Sequence, residues 1–217
     1  MQIIKAAELK RDYLTTLIYA APGMGKTTLL SKAKGKTLVI DVDKGTSVLR
    51  GVDNVDIVRL SDDLHEMPEI FKELQAKCDY QNIAIDSLSE LERAMLTYYG
   101  YIGKNNGVPG IEAYNRVDFK ILNYCRQFRS LEANIIFTAW EKIRDISTVT
   151  GEKYSQAYPM LRDKIVDNIC GLCDIIGHIV VDSGERFVSF ESSANAIAKD
   201  RIFKRKICNF EEVFNGD

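Results

Sequence analysis

The residues with the most specific chemistry form a glycine-rich segment at 20–27, Ala-Ala-Pro-Gly-Met-Gly-Lys-Thr. The segment matches the P-loop pattern G-x-x-x-x-G-K-[ST] except at its first position, where Ala20 replaces glycine. Gly23 and Gly25 allow backbone N–H groups to turn inward around a phosphate, and a helix beginning near Lys26 adds its positive end. The segment therefore predicts a site for the phosphates of ATP or a close relative.

The residues of this loop have separate expected roles. Lys26 is expected to reach the β- and γ-phosphates, and the hydroxyl of Thr27 to bind Mg²⁺. The other nucleotide-binding candidates complete the loop: Pro22, Gly23, Met24, Gly25 and Thr28. ATP and Mg²⁺ are therefore the expected cofactors.

A second candidate element, Ile-Ala-Ile-Asp-Ser at 83–87, is an apolar run that ends in aspartate. This is the Walker B form, in which the carboxylate, here Asp86, holds the Mg²⁺ shell through water. Asp86 also precedes a helical pattern, so a helix N-cap is its alternative role, and the two roles are compatible. Because parallel strands end at one edge of a sheet, Asp86 is expected to face the same crevice as the P-loop.

A pair of carboxylates, Asp41 and Asp43, follows an apolar run at 37–42. Residues two apart point to the same side of a strand, and a carboxylate just past the strand end can polarise water for attack on a γ-phosphate. We expect Asp43 to be the catalytic carboxylate, with Asp41 as the second choice. An Asx turn before Gly45 is the alternative role.

Later polar groups are candidates for completing the site. Thr138 and Glu141 follow an apolar run and could sense the γ-phosphate, whereas Trp140 is expected to pack, with base stacking as its alternative. Lys199 and Arg201 are two cations near the C-terminus. They could reach the γ-phosphate of a neighbouring subunit, as arginine fingers do, or be ordinary surface cations.

These residues need secondary structure that brings them together, and apolar runs alternate with helical patterns along the chain. Strands are predicted at 14–19, 37–42, 55–60, 82–85, 134–138, 175–181 and 186–191, and helices at 26–34, 61–79, 88–99, 111–131 and 163–172. The alternation predicts an α/β fold with a mainly parallel central sheet flanked by helices and a C-terminal antiparallel hairpin.

The remaining segments are interpreted from their composition. Residues 142–159 are polar and are predicted to form a loop that could carry a small hairpin. We expect a single domain over 1–217, with 202–217 as a candidate flexible tail. Cys170 and Cys173 form a CxxC, which could be a redox pair or half of a zinc site, but their helical spacing favours packing in the core.

Composition limits the functional class. The 217 residues are 46% hydrophobic and 28% charged, which suits one α/β domain with a real core. The net charge of −2 argues against a surface coated with positive charge, but not against a local basic groove. The sequence has neither a secretory pattern nor an apolar run of membrane-spanning length, so we expect a soluble, cytoplasmic protein that does not engage a membrane.

Taken in order, these motifs resemble RecA-type P-loop ATPases, and among them the small phage-encoded proteins of the single-strand annealing and recombination group. The matching segments span nearly the whole chain: 21–28, 39–43, 83–87, 135–140 and 199–201. The resemblance implies a RecA-like core that binds ATP and Mg²⁺, assembles into a ring or filament and acts on single-stranded DNA. A phage gene would place the protein in the cytoplasm of a bacterial host.

The resemblance also assigns roles and exposes two departures. Asp43 stands where the family usually has a catalytic glutamate, and Trp140 where the phage relatives often have histidine. Lys199 and Arg201 match a K-x-R pair that acts in trans. The DNA-contacting loops of the family correspond by position to 98–110 and 141–159, whose candidate contacts are Tyr101, Lys104, Lys142, Arg144, Lys153 and Tyr154.

Three functions are therefore considered. The first is an oligomeric RecA-like ATPase that acts on single-stranded DNA in phage recombination, repair or replication. The second is a nucleotide-gated interaction or loader module with little hydrolysis, which the short Asp43 favours. The third, a small-molecule nucleotide kinase, is less favoured because Arg126, Arg129 and Arg144 are too dispersed for an arginine-rich lid.

Overall fold

The computed structural model describes residues 5, 13–62, 64–147, 151 and 153–214. Within these residues, ten strands and five α-helices form an α/β structure. The strands are β1 Thr15–Ala20, β2 Thr37–Asp41, β3 Val55–Arg59, β4 Asn82–Asp86, β5 Asn134–Ser147, β6 Lys153–Pro159, β7 Ile175–Asp182, β8 Glu185–Ser189, β9 Lys199–Asp200 and β10 Ile207–Asn209. The helices are α1 Lys26–Leu29, α2 Glu66–Ala76, α3 Leu88–Tyr101, α4 Ile111–Arg129 and α5 Asp163–Leu172.

The central sheet has the order β10-β8-β7-β1-β5-β4-β2-β3. Strands β7, β1, β5, β4, β2 and β3 are parallel, while β8 and β10 add antiparallel pairs at one end. The expected fold class, a mainly parallel sheet flanked by helices with a C-terminal antiparallel hairpin, is confirmed. Since β5 lies between β1 and β4, the P-loop and Asp86 emerge from the same edge of the sheet, one strand apart.

The sheet is buried on both faces, which explains why its central strands are continuous apolar runs. In β1, Leu17 and Tyr19 pack in a large core with α2 to α5, whereas Ile18 and Ala20 point the other way, toward α1 and the C-terminal segment. This alternation follows from the two-residue period of a strand. It fixes the direction in which β1 delivers the loop that follows it.

Two predicted helices are shorter in the structure. Helix α1 has only four residues before a 3-10 turn, Leu30–Lys32, continues it. Helix α2 begins at Glu66 because Leu64 has a positive φ of 57°, which is incompatible with a right-handed helix. The apolar spacing marked the buried face correctly but not the helix ends.

Within 142–159, the described residues form the hairpin that the composition left open, and not a loop, because β5 continues to Ser147 and pairs with β6 in an antiparallel ribbon. The register runs from Glu141 opposite Pro159 to Ser147 opposite Lys153. The outer half of this ribbon carries polar side chains on both faces, so alternation of hydrophobicity does not reveal it. Residues 148–150 and 152 lie outside the described residues.

The candidate flexible tail at 202–217 is also corrected where it is described, to residue 214. Strand β10 pairs with β8, and a 3-10 turn at Phe210–Glu212 buries Phe210 and Val213 against the sheet. Arg205 pairs with the buried carboxylate of Asp200 at 2.7 Å. Buried apolar side chains therefore anchor this segment to the sheet, although its sequence is rich in charged residues. In the described part of the chain, no helix is both long enough and apolar enough to cross a membrane.

Candidate functional site

The P-loop leaves the carboxyl end of β1 and leads directly into α1. Gly23 and Gly25 have φ values of 78° and 93°, a region that only glycine adopts without strain, and Gly25 is the N-cap of α1. Ala20, which replaces the first glycine of the pattern, is the last residue of β1 and is fully buried beside Ile18 and Leu29. The methyl group therefore completes the strand and does not enter the phosphate cradle.

Lys26 lies at the centre of this edge, and only 8% of its surface is exposed. Its Nζ donates to the carbonyl oxygens of Ala20 and Ala21, both at 3.0 Å. Burial lowers the pKa of Lys26, while the nearby carboxylates of Asp86 and Asp43 act in the opposite direction. The ammonium is thus held at the mouth of the loop, close to both acidic residues.

Asp86 ends β4 and is almost fully buried, with 1% exposed. It accepts a hydrogen bond of 2.6 Å from the hydroxyl of Thr27 and a short one from the hydroxyl of Thr138. Burial raises the pKa of Asp86, and the two hydroxyl donors partly oppose that rise. The expected meeting of Thr27 with Asp86 is therefore present, and Thr138 positions Asp86 from the neighbouring strand.

The alternative N-cap role belongs to a neighbour of Asp86. Ser87 is the N-cap of α3, and its Oγ accepts a hydrogen bond from the backbone N–H of Glu90 at 3.2 Å. The carboxylate of Asp86 is consequently left for the site.

Asp43 lies beside Asp86 because the backbone N–H groups of Val42 and Asp43 both donate to the carbonyl of Asp86, at 2.8 and 3.2 Å. One oxygen of Asp43 accepts from the N–H and the hydroxyl of Ser87, at 3.1 and 2.9 Å. The other accepts from the indole N–H of Trp140 at 3.3 Å. Asp43 is therefore a half-buried carboxylate held in one orientation.

Asp41 has a different, structural role. It is fully buried and accepts hydrogen bonds from Gly45 N at 3.2 Å, from the hydroxyl of Thr46 at 2.6 Å and from Arg59 at 3.4 Å. The turn before Gly45 is thus made by Asp41. The turn-forming contacts therefore belong to Asp41 and not to Asp43, and the preference for Asp43 as the catalytic carboxylate stays a prediction.

Trp140 has contacts that its sequence context did not predict. Its backbone N–H donates to the hydroxyl of Ser89 at 2.8 Å, and the guanidinium of Arg93 lies 4.7 Å from the ring centroid. The indole therefore packs between Arg93 and the hydrogen bond to Asp43. Neither Ser89 nor Arg93 has a motif that could have identified it.

Glu141, the residue after Trp140, has a histidine partner. Nε2 of His178 lies 2.8 Å from Glu141 Oε2, and the imidazole stacks on Tyr19 with 4.7 Å between ring centroids. The hydroxyl of Tyr19 donates to the carbonyl oxygen of Ile197 at 2.7 Å. A chain of side chains thus links β5, β7 and β1 beside the P-loop, and His178 was not anticipated.

Lys199 and Arg201 lie at the opposite edge of the sheet from the P-loop of their own chain. Lys199 pairs with Ile176 at the start of β7, and its Nζ donates to the carbonyl of Cys170 at 2.5 Å. Arg201 is exposed, and the described residues offer it no ion pair. The structure therefore does not bring this pair to Lys26 within one chain.

The candidate DNA contacts differ in whether their side chains already have partners within the chain. Lys142 and Arg144 both pair with Asp163 at the start of α5, at 2.7 and 3.2 Å. In contrast, Tyr101 at the end of α3 is 82% exposed, and Lys104 follows it in an exposed loop. Two of the expected cations are therefore already neutralised in the fold.

In β6, Lys153 is exposed and Tyr154 is half-buried, so these two candidates lie on the outer part of the ribbon.

The two cysteines of the CxxC pack in the main core, as their spacing favoured. Cys170 and Cys173 are free and buried among the apolar residues of α5 and its neighbours. Burial raises the pKa of the Cys170 thiol to about 12 and that of Cys173 well above its ordinary value. Neither thiol is a reactive thiolate near neutral pH.

Comparison with known proteins gives one family match. The family model described as "AAA domain" matches residues 12–202, and no curated protein matches the chain. Among solved structures, the chain is similar to a KaiC-like protein, PH0186, from the hyperthermophilic archaeon Pyrococcus horikoshii OT3, with 14% identity, a TM-score of 0.45 and 81% and 77% of the two chains covered.

It is also similar to the flagellar accessory protein FlaH from Methanocaldococcus jannaschii, with 10% identity, a TM-score of 0.42 and 86% and 82% of the two chains covered. The family model spans most of the chain, including the P-loop, both acidic residues of the site and the trans candidates. It supports the P-loop ATPase fold, and the chain belongs to the AAA domain family.

Proposed function

We propose that this protein binds and hydrolyses ATP with Mg²⁺ as a homo-oligomer that acts on single-stranded DNA. The observation that carries the catalytic part is the convergence of Lys26, Thr27, Asp86 and Asp43 at one edge of the sheet. Cation, hydroxyl and carboxylates are the groups that phosphoryl transfer requires, and they lie at or just beyond the carboxyl ends of three strands, β1, β2 and β4.

The donor set suits a magnesium ion. A hydroxyl and a carboxylate that lie 2.6 Å apart, Thr27 and Asp86, are hard oxygen ligands of the kind Mg²⁺ prefers, directly or through water. Bound there, the ion would neutralise charge on the phosphates. Lys26 is placed to bind the phosphate oxygens, and Thr138 holds Asp86 in its orientation.

Asp43 is the proposed group that orients the attacking water. Its carboxylate is fixed by Ser87 and by the indole of Trp140, so it is prepositioned without a change of rotamer. A carboxylate so placed accepts a hydrogen bond from water and raises its nucleophilicity as the γ-phosphate is attacked.

The position of Lys199 and Arg201 supports the proposed assembly into a ring or filament. These cations lie at the edge opposite to their own P-loop, so they can stabilise phosphate charge only at a second subunit. The exposure of Arg201 supports such a role in trans.

Single-stranded DNA is the proposed partner, in recombination, repair or replication of a phage in the cytoplasm of its host. The support is the resemblance of the ordered motifs to the phage RecA-like group, together with the exposed aromatic and basic residues Tyr101, Lys104 and Lys153. Exposed rings stack on bases and cations bind the backbone without sequence preference.

Fluorescence anisotropy of a labelled single-stranded oligonucleotide tests the proposal, at low salt, with ATP and Mg²⁺, with ADP and without nucleotide. Sedimentation of the same samples reports assembly. We expect ATP-dependent binding that weakens as salt rises, accompanied by a larger sedimentation coefficient. Absence of binding to any oligonucleotide, with or without ATP, would remove DNA from the proposal.

A nucleotide-gated loader with little hydrolysis is a second candidate, and the shortness of Asp43 favours it. An aspartate in this position has one methylene fewer than the glutamate usual in RecA-type proteins, and both its oxygens already accept hydrogen bonds. Asp43→Asn separates the two candidates. If this variant leaves both ATP turnover and DNA binding unchanged, hydrolysis is not the function of the site.

A further inference from the structure

The β7–β8 hairpin forms a wall beside the P-loop. Strand β7 pairs with β1 as far as His178, opposite Tyr19, and then continues to Asp182. The hairpin therefore extends past the carboxyl edge of the sheet, on the side where the P-loop emerges. Arg186 lies on its returning strand, opposite Val181.

The guanidinium of Arg186 lies directly against the P-loop backbone. A β-carbon on Gly25 would be 2.9 Å from a guanidinium nitrogen of Arg186 and 3.2 Å from the ring of Phe210. Gly25 is the residue before Lys26 and the N-cap of α1, so its neighbourhood is where backbone N–H groups surround a phosphate. The absence of a side chain at position 25 is what allows this approach.

The C-terminal segment supports Arg186 from behind. The guanidinium lies 5.6 Å from the ring centroid of Phe210, which is itself buried with Leu29 of α1. The next residue, Glu211, forms an ion pair with Lys32 at the end of the α1 turn. The segment that was expected to be a flexible tail thus fixes one face of the guanidinium close to the phosphate loop.

The guanidinium of Arg186 makes no hydrogen bond or ion pair with any described residue, and the residue is exposed. A guanidinium offers five N–H donors in a planar fork that suits phosphate oxygens. Because the guanidinium is exposed beside the P-loop, it can exchange bound water for the phosphate oxygens of a ligand held there.

We propose that Arg186 binds the phosphate chain of the nucleotide held by the P-loop of the same chain. The inference rests on the proposed nucleotide binding, and it adds a second cation in cis to Lys26. In this assignment, the hairpin and the C-terminal segment together hold the guanidinium of Arg186 against Gly25.

Titration of a fluorescent ATP analogue into four proteins tests this assignment: wild type, Arg186→Gln, Arg186→Lys and Arg129→Gln. Arg129 is an exposed arginine at the opposite edge of the sheet and serves as the matched control. Loss of a charge-assisted hydrogen bond predicts about tenfold weaker binding for Arg186→Gln. Arg186→Lys should retain part of the affinity, and Arg129→Gln all of it.

Competition by inorganic tripolyphosphate identifies the part of the nucleotide that Arg186 contacts. We expect its inhibition constant to rise in Arg186→Gln by the same factor as that of ATP. Weaker ATP binding with unchanged tripolyphosphate binding would overturn the assignment to the phosphate chain. Equal ATP affinity of Arg186→Gln and wild type would overturn it altogether.

Two measurements keep these outcomes distinct from other failures. The melting temperature without nucleotide should be the same for Arg186→Gln and wild type, because the side chain has no polar partner among the described residues. If wild type itself binds no ATP, the proposed function fails. If wild type binds ATP and Arg186→Gln binds it equally well, only the role of Arg186 is lost.

Discussion

The two edges of the central sheet hold charged groups in opposite circumstances. At the carboxyl edge, Lys26, Asp43 and Asp86 are buried or half-buried, and each is hydrogen-bonded within its own chain. At the amino edge, Arg126, Arg129 and Arg201 are exposed and have no ion pair with a described residue. Lys26, Asp43 and Asp86 are therefore preorganised by the fold itself, whereas these three exposed arginines are available to another molecule.

This difference predicts that binding and turnover can be separated by mutation. Substitutions at the carboxyl edge should act on an isolated chain, because the partners of each group are local. Substitutions at the amino edge should act only when chains assemble.

Replacement of Lys26 should have the largest effect. Lys26→Ala removes the cation at the phosphate loop, and we expect loss of measurable ATP binding and a fall in turnover of about a thousandfold or more. A phosphate-release assay and nucleotide titration measure the two effects. Lys34→Ala, an exposed lysine in the loop after the α1 turn, is the control and should behave as wild type. Turnover retained by Lys26→Ala would show that the site is elsewhere.

Replacement of Arg201 should act through assembly. Arg201→Ala should bind ATP as wild type does but lose about a thousandfold in turnover, because a trans cation stabilises transition-state charge. Mixing it with Lys26→Ala provides a sharper test. At the junctions where Lys26→Ala supplies Arg201 to an intact P-loop, activity should return. A mixture as inactive as its two components would argue against complementation between chains.

Substitutions of Asp43 and Asp41 should affect different quantities, the turnover rate and the free energy of unfolding respectively. Asp43→Asn should lower turnover by about a hundredfold with nearly unchanged ATP affinity, since the carboxylate acts on water and not on the ground-state nucleotide. Asp41→Asn should instead lower the free energy of unfolding by about 1–3 kcal/mol, because it weakens buried hydrogen bonds to Gly45 and Thr46. Denaturant melts and turnover assays on both variants measure this contrast. The reverse pattern would exchange their assigned roles.

Features that depend on a short local pattern could be predicted from the sequence. The P-loop, Asp86 and the parallel sheet were predictable because each depends on a short pattern: glycines before Lys26, an apolar run before an aspartate, and alternation of strands with helices. The preference for Asp43 over Asp41 as the catalytic carboxylate stays a prediction, because it depends on which turn and which partners each carboxylate reaches. The ribbon of β5 and β6 was anticipated only as a small hairpin within a predicted loop, because polar side chains on both faces conceal its strands.

Contacts made by distant residues could not be predicted. Arg186 meets Gly25 only because a hairpin overshoots the sheet edge, and Arg93 meets Trp140 only because α3 passes over the end of β5. His178 and Glu141 come from neighbouring positions on strands that flank β1. Such contacts leave no pattern in a single sequence, because they depend on how separate elements pack against one another.

The smallest predicted effect concerns the candidate DNA contacts, where partnered and unpartnered groups can be compared directly. Tyr101 is exposed at the end of α3, about 20 Å from Asp86 along the helix, and its ring is available for stacking. Lys142 is held by Asp163 and by the carbonyl oxygen of Leu161 at 2.6 Å. We therefore expect Tyr101→Ala to weaken binding to a single-stranded oligonucleotide by about tenfold.

Lys142→Ala should change that affinity by less than about twofold, because its charge is already neutralised in the fold. Its loss should appear instead as a modest fall in melting temperature, because α5 loses one of its ion pairs with the ribbon and keeps those of Arg144. Anisotropy with one oligonucleotide and one salt concentration compares the two variants. A larger loss of DNA affinity in Lys142→Ala than in Tyr101→Ala would mean that the ion pair with Asp163 opens on binding, and that a partner within the chain does not exclude a role outside it.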